Sequence, residues 1–353
     1  MPGICALISA GALLLCSSAG AASLISDAAV VPAEPSFGAF LSCASAAQCV
    51  AVGPSGEEVT FDPVSPGSPS AVKLAEEGWQ GVACPSSSQC TAVGLNGLED
   101  TFNPAAPASG SRDIIDPGDG IHAISCPSAG QCTIVDENAD WLTFNPAAPG
   151  TPARTSFGPR ETQPYTVACP SATQCTEAAS FVNTFNPAGS SVEAQPSLPE
   201  PPEMIACSSS AQCTAVGQQG AVTFRPTVSG AAKTIKNSNL SLLAVACPSS
   251  SQCTAVAGSY AVTFDPASAQ SGVETTIAAG QGLTGVSCPS TSQCTAIDLA
   301  GHELTFRPTS VAAPSSSANT RKLAKAIKAC DRLKGPSKRA GCLKAARKRY
   351  PLH

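Results

Sequence analysis

Short apolar runs separated by clusters of Ser, Pro and Gly recur along this chain at an almost constant spacing. In one copy, Leu283-Thr-Gly-Val-Ser-Cys288 leads through Pro-Ser-Thr-Ser to Gln-Cys294-Thr-Ala-Ile, then a turn at Gly301, then Glu303-Leu-Thr-Phe306. Runs of this length bounded by turn residues read as three β-strands. In most copies a fourth run follows a Pro-rich loop, as at Ala71 to Ala75, Arg112 to Asp116, Lys233 to Lys236 and Val273 to Ile277. Four strands in about 41 residues is the size of a β-propeller blade.

Paired cysteines mark the copies and count them. They are Cys43 and Cys49, Cys84 and Cys90, Cys126 and Cys132, Cys169 and Cys175, Cys207 and Cys213, Cys247 and Cys253, and Cys288 and Cys294, each pair six positions apart. Thr-Phe-x-Pro follows each pair and ends at Pro63, Pro104, Pro146, Pro187, Pro226, Pro266 and Pro308. Seven copies predict an all-β, seven-bladed propeller over residues 27–308. The Phe of each copy (Phe61, Phe102, Phe144, Phe185, Phe224, Phe264, Phe306) is the one large apolar group present every time, so it should wedge between neighbouring blades. Burying it is worth roughly 2 kcal/mol per blade. The innermost strands carry Ala, Gly, Ser and Val, as a crowded axis requires. No fourth strand follows Pro308, whereas Ala28 to Val31 stand where a fourth strand precedes every later copy. The N-terminus is therefore expected to complete the last blade and close the ring.

Composition narrows the chemistry of the cysteines. The only histidines are His122, His302 and His353, and the six-residue spacing is wider than a zinc motif, so the expectation is one disulfide within each blade and no metal. A five-residue connection closed this way contributes roughly 2 kcal/mol. Residues 1–21 hold an apolar run from Ile4 to Leu15 and then small residues ending near Ala21, the pattern of a signal peptide, although no Lys or Arg precedes the run. The run is too short to span a membrane. Its removal would take Cys5 and Cys16 and leave an even cysteine set, consistent with an oxidising, extracellular or cell-surface location.

Charge separates the chain into two modules. From Arg321 onward there are 12 Lys or Arg and one acid, Asp331; the remaining 8 basic and 24 acidic residues leave the preceding part at −16. Residues 309–320 read as a flexible linker. Residues 321–353 read as a small helical hairpin stapled by Cys330 and Cys342, because so short a segment buries too little to hold together otherwise. Such a basic tail is either a solvated, wall-adhering segment or a binder of a specific anionic partner, an envelope polymer or an acidic protein surface.

The Ser-Cys-Pro-Ser-x-x-x-Cys-x-Ala-Val-Gly repeat resembles that of secreted bacterial β-propellers, and its strand order is similar to the wider BNR type of repeat. The resemblance spans about residues 28 to 308 and implies the propeller architecture. The sialidase box Ser-x-Asp-x-Gly-x-x-Trp is replaced here by Thr-Phe-Asn-Pro, and only Arg112, Arg154, Arg160, Arg225 and Arg307 precede the tail.

Two places could bind. Asp116, Asp119, Asp136, Glu137 and Asp140, with His122 and Trp141 beside them, fall on turns and entry loops of one sector, where they form either an acidic solvated surface or a site for a cation or cationic ligand. Glu177 takes the place of an alanine on a second strand and is either a paired strand glutamate or a functional group. No nucleophile motif, phosphate loop, cofactor motif or nucleic-acid motif is present. The sequence thus predicts a secreted or surface-bound binding and scaffolding propeller with a protein or glycan ligand. The alternative is a carbohydrate-active or lyase-type enzyme with its site on the loop-rich face.

Overall fold

The structure, a computed structural model, describes residues 23–29, 40–158, 164–228, 233–235, 241–268, 272–277, 282–309, 325–330 and 336–349. Its strands form seven four-stranded antiparallel sheets, each the blade of a propeller. The first blade holds Phe40–Ser45, Gln48–Val52, Glu57–Phe61 and Val72–Lys73 from the axis outward, and the next five repeat this order. The outer strands are short and largely exposed, as at Ser111–Ile114, so the core lies in the inner three strands.

The seventh blade is completed from the other end of the chain. Ser23–Ala29 pairs antiparallel with His302–Arg307, from Ser23 opposite Arg307 to Ala29 opposite His302. The closing strand therefore begins about five residues earlier than the run Ala28 to Val31 that the pattern suggests. Ser26 Oγ also donates to the Pro63 carbonyl at 2.6 Å, tying this strand to the first blade. Residues 1–22, which include the expected leader, and most of the expected linker lie outside the described residues.

Each blade carries its disulfide, joining the first strand to the second beside their turn. All seven repeated Phe rings are buried, and every one stands cross-strand from the second cysteine of its own blade, as Phe61 does from Cys49 and Phe306 from Cys294. The Phe–Cys face packs on the preceding blade: Phe306 and Cys294 share a cluster with Ala244, Val256 and Ala261 of the sixth blade. The wedge read from the sequence is thus the packing unit of the ring.

Polar bolts that the apolar pattern does not announce complete the junctions. In six of the seven blades the Gln before the second cysteine reaches the next blade, where its Nε2 donates to a turn carbonyl. Gln89 reaches Ala129, Gln252 reaches Thr291, and Gln293 crosses the closure to Ala46 at 2.8 Å. At the same closure the Cys43 amide donates to Ser287 Oγ at 3.0 Å, and the Cys49 sulfur touches Thr295 Oγ1. In six blades a cross-strand Thr–Thr hydroxyl pair, such as Thr91 with Thr101, satisfies the groups beneath that sulfur contact.

Residues 310–353 form a separate compact unit. Helices at residues 325–330 and Pro336–Arg349 are joined by the Cys330–Cys342 disulfide, and Cys330 is buried against Ala326, Ile327 and Leu343. Among the described residues no helix is long and apolar enough to cross a membrane.

Candidate functional site

A blade has two ends, and they differ in chemistry. The turns between first and second strands, at one end, carry no charged residue in any of the seven copies: Ala44–Gln48, Pro85–Gln89, Pro127–Gln131, Pro170–Gln174, Ser208–Gln212, Pro248–Gln252 and Pro289–Gln293. Their hydroxyls cap their own backbone, as when Ser86 and Ser290 accept from the amides two residues on. Six of their seven glutamines are spent on the bolts. This end holds the ring together.

The opposite end is formed by the second-to-third strand turns and the loops that enter each innermost strand. A cavity of about 380 Å³ lies in the axis there, within the range of about 300–1,000 Å³ that holds small ligands or buried side chains. Its position follows from the register of the innermost strand. Two places before the first cysteine every blade has an aliphatic residue, and Leu41, Val82, Ile124, Val167, Ile205 and Val286 line the shaft. Four places before that cysteine the residue changes from blade to blade. Gln80, His122, Tyr165 and Thr284 therefore make a mixed rim above an apolar shaft, with Phe40 and Met204 also lining it.

Tyr165 is 60% exposed and stacks nearly parallel to His122, with ring centroids 6.3 Å apart and an interplanar angle of 9°. The His122 ring is oriented by donation from Nδ1 to the Pro164 carbonyl at 3.1 Å. Leu95, Phe181, Leu243 and Leu299 are also exposed on turns or entry loops of this end. A second hollow of about 400 Å³ lies there between the turn at Phe181 and the loop Gln195 to Pro202.

The acidic residues singled out by sequence are only partly brought together. Oxygens of Asp116, Asp119 and Asp136 lie within 4.8 Å of one another, but Arg154 from the outer strand of the third blade is set among them. Its guanidinium pairs with Asp116 at 2.6 Å, pairs with Asp119, and donates to the Pro117 carbonyl at 3.2 Å. The loop carrying Asp116 crosses Gly97 so closely that a Cβ there would fall 1.9 Å from the Asp116 carbonyl.

Asp136 serves the adjoining turn. One of its oxygens accepts from the amides of Asn138 and Asp140 at 2.9 and 2.8 Å, holding a turn in which Ala139 takes a φ of 61°. Asp298 caps the equivalent turn of the last blade in the same way. Asp116 and Asp136 are both fully buried, and burial raises both, Asp136 to about 7. The trio therefore reads as an internal ion-pair cluster linking the second and third blades.

The remaining residues of that set disperse. Glu137 is exposed and Asp140 half-buried. His122 belongs to the axial cavity. Trp141 is 1% exposed, packed between Phe157 and Phe185 with centroids 4.8 and 4.7 Å away, and so belongs to the core rather than to the acidic surface. Glu177 is fully buried in the fourth blade, where the Asn183 amide donates to it and Gln195 in turn donates to Asn183 at 2.7 Å. That chain runs from the second strand to Gln195, just past the fourth, which lines the second hollow and not the axial cavity.

Sequence reasoning passed over a ring of buried acids. Glu58, Glu99 and Glu303 occupy the same third-strand position in three successive blades of the closed ring, and each accepts from the threonine two residues on. Burial pushes Glu58 up to about 7 and Glu99 up to about 8, and raises Glu303. The available signal was the Glu three places before the repeated Phe.

No family model and no curated protein matches the sequence. Among solved structures the chain is similar to the WD40 β-propeller domain of Doa1, with a TM-score of 0.65 and 8% sequence identity, covering 81% of this chain and 96% of that one. At that identity the likeness shows the propeller fold and nothing finer.

Proposed function

We propose that this chain is a secreted or surface-bound binding and scaffolding propeller, taking a ligand at the axial cavity and adhering to anionic envelope polymer through its basic tail. The observation that carries the reading is the segregation of chemistry. At one end of the ring the seven first-to-second strand turns are uncharged and committed to closure, beside third-to-fourth strand loops that carry both signs, as at Asp62, Arg225 and Asp265, while the other end gathers the cavity, the exposed aromatic and aliphatic groups and the variable rim. Ligand sites are concave and mainly apolar, with a few polar groups for orientation, and the cavity has that make-up. Its lining offers one imidazole and, among the described residues, no carboxylate, which favours binding over acid–base hydrolysis. The many disulfides accord with an oxidising compartment.

For the tail, Lys325, Lys328, Lys344 and Arg347 lie on its helices, in a segment whose cations outnumber its acids twelve to one. Binding of so many cations to a polyanion releases counterions and falls steeply with salt. The full-length protein, Tyr165→Ala, and a chain with those four tail residues changed to Gln are applied to arrayed peptides and glycans and to an anionic polymer column. Tyr165→Ala should lose array binding by tenfold or more and elute from the column as the parent does. The tail variant should elute at lower salt and keep array binding. Array binding indifferent to Tyr165, or column retention indifferent to salt, contradicts the corresponding half of the proposal.

A further inference from the structure

Granting that the cavity end is the binding face, we infer that its occupant is a cationic segment of a partner protein: an aliphatic or aromatic side chain enters the shaft while flanking lysines or arginines lie on the rim. Three features of this end select that chemistry over others.

The first is an excess of acid around the rim among the described residues. Glu203 occupies the variable ring position of the fifth blade and is exposed. Glu137 is exposed on the second-to-third turn of the third blade, and its amide bonds to the Gly120 carbonyl, two residues before His122. Glu77 and Asp140 stand on the entry loop of the second blade and at the same turn as Glu137. Among the described residues no ion pair engages any of these four. Among the described residues the cations near this end are already committed, Lys73 to Glu57 and Glu76 and Arg154 to Asp116 and Asp119.

The second feature is that the charge is placed. The seven first-to-second strand turns of the other end carry none, and the third-to-fourth strand loops beside them carry both signs, as at Asp62, Arg225 and Asp265, so the acid excess of the cavity end is not part of a uniform solubilising coat. A nucleic acid, a phosphorylated segment or a uronate chain would meet like charge on this rim, whereas a cation-bearing segment gains both attraction and faster encounter.

The third is the pairing of an apolar shaft with an aromatic plate. Leu41, Val82, Ile124, Val167, Ile205 and Val286 present no polar side-chain group, so a buried hydrocarbon side chain is the economical filling. Above them Tyr165 exposes its ring, against which a lysine ammonium or arginine guanidinium can lie.

The test uses the full-length protein and three fluorescent peptides that share a central Phe-Leu pair and differ only in their flanking residues: Lys, Gln or Glu. Anisotropy should rank Lys tightest, Gln about tenfold weaker and Glu weakest. The double change Glu137→Gln, Glu203→Gln should weaken the Lys peptide roughly tenfold and leave the Gln peptide unchanged, and Tyr165→Ala should weaken both. If the Glu or Gln peptide binds as well as the Lys peptide and Tyr165→Ala still weakens it, the cationic partner is overturned and the binding face stands. If binding of every peptide is indifferent to Tyr165 and to the rim variants, the face reading falls as well.

Discussion

Removing residues 23–29 should raise amide exchange over His302–Arg307 by roughly a hundredfold, the equivalent of about 3 kcal/mol in local opening free energy. His302–Arg307 is a third strand in every respect but one: its outer partner comes from the opposite end of the chain. Without Ser23–Ala29 its outer edge loses a full ladder of backbone bonds, and the Ser26 hydroxyl no longer ties it to Pro63. An exposed edge in the closing blade also leaves the seam with the first blade dependent on Gln293, Ser287 and the Cys49–Thr295 contact. The outer strand of the first blade, Val72–Lys73, is a natural control, because it is short and forms no part of the closure. Changing its residues should alter exchange only within that blade. Unchanged exchange over His302–Arg307 after the deletion would show that the N-terminal strand does not hold the ring shut.

Stability should fall as pH rises from about 5 to 9, the reverse of a protein held by salt-bridged carboxylates. The sign follows from the buried glutamates. An unfolded glutamate releases its proton near the ordinary value of 4.5, whereas Glu58 and Glu99 hold theirs up to about 7 and 8 in the fold because burial disfavours the charged form. The folded state then binds more protons than the unfolded state between those limits. The advantage is complete below 4.5 and is lost as pH climbs through the folded values. At ~1.4 kcal/mol per pH unit, the loss across the window is on the order of 3 kcal/mol for Glu58 alone. Glu303, Asp100, Asp116 and Asp136 are displaced upward by burial too and add in the same direction. Urea unfolding with disulfides intact, at pH 5, 7 and 9, measures the slope. Glu99→Gln keeps an acceptor for Thr101 and cannot ionise, so it should flatten the curve and be more stable than the parent at pH 9. A parent curve that is level or rises with pH contradicts the account.

What could be read from the sequence divides along physical lines. The seven blades, the disulfides and the buried Phe are local features repeated at fixed offsets, so one copy explains all of them, and the structure pairs each Phe with its own blade's second cysteine. Ring closure was legible as a missing fourth strand. Its register was not, because Ser23–Ala29 has no stronger alternation than the residues after it.

The cavity was not legible. Its rim is built from one residue per blade, about 41 positions apart, and only the ring brings Gln80, His122, Tyr165 and Thr284 to one place. The acidic sector misled for a different reason: the aspartate that caps a hairpin turn, Asp136, and one that would ligate a cation are the same residue type at the same place. Nor does sequence tell that Arg154, an outer-strand residue, folds onto Asp116 and Asp119.

The central claim, that ligands meet the variable rim and not the end that holds the first-to-second strand turns, is tested most directly by an amide-exchange footprint of the full-length protein with and without the tightest array ligand. Protection is expected where the innermost strands begin, at Gln80–Val82, His122–Ile124, Tyr165–Val167 and Met204–Ile205, with the seven Ser-rich turns and the tail unchanged. Protection confined to those turns, or to residues 325–349, would contradict it.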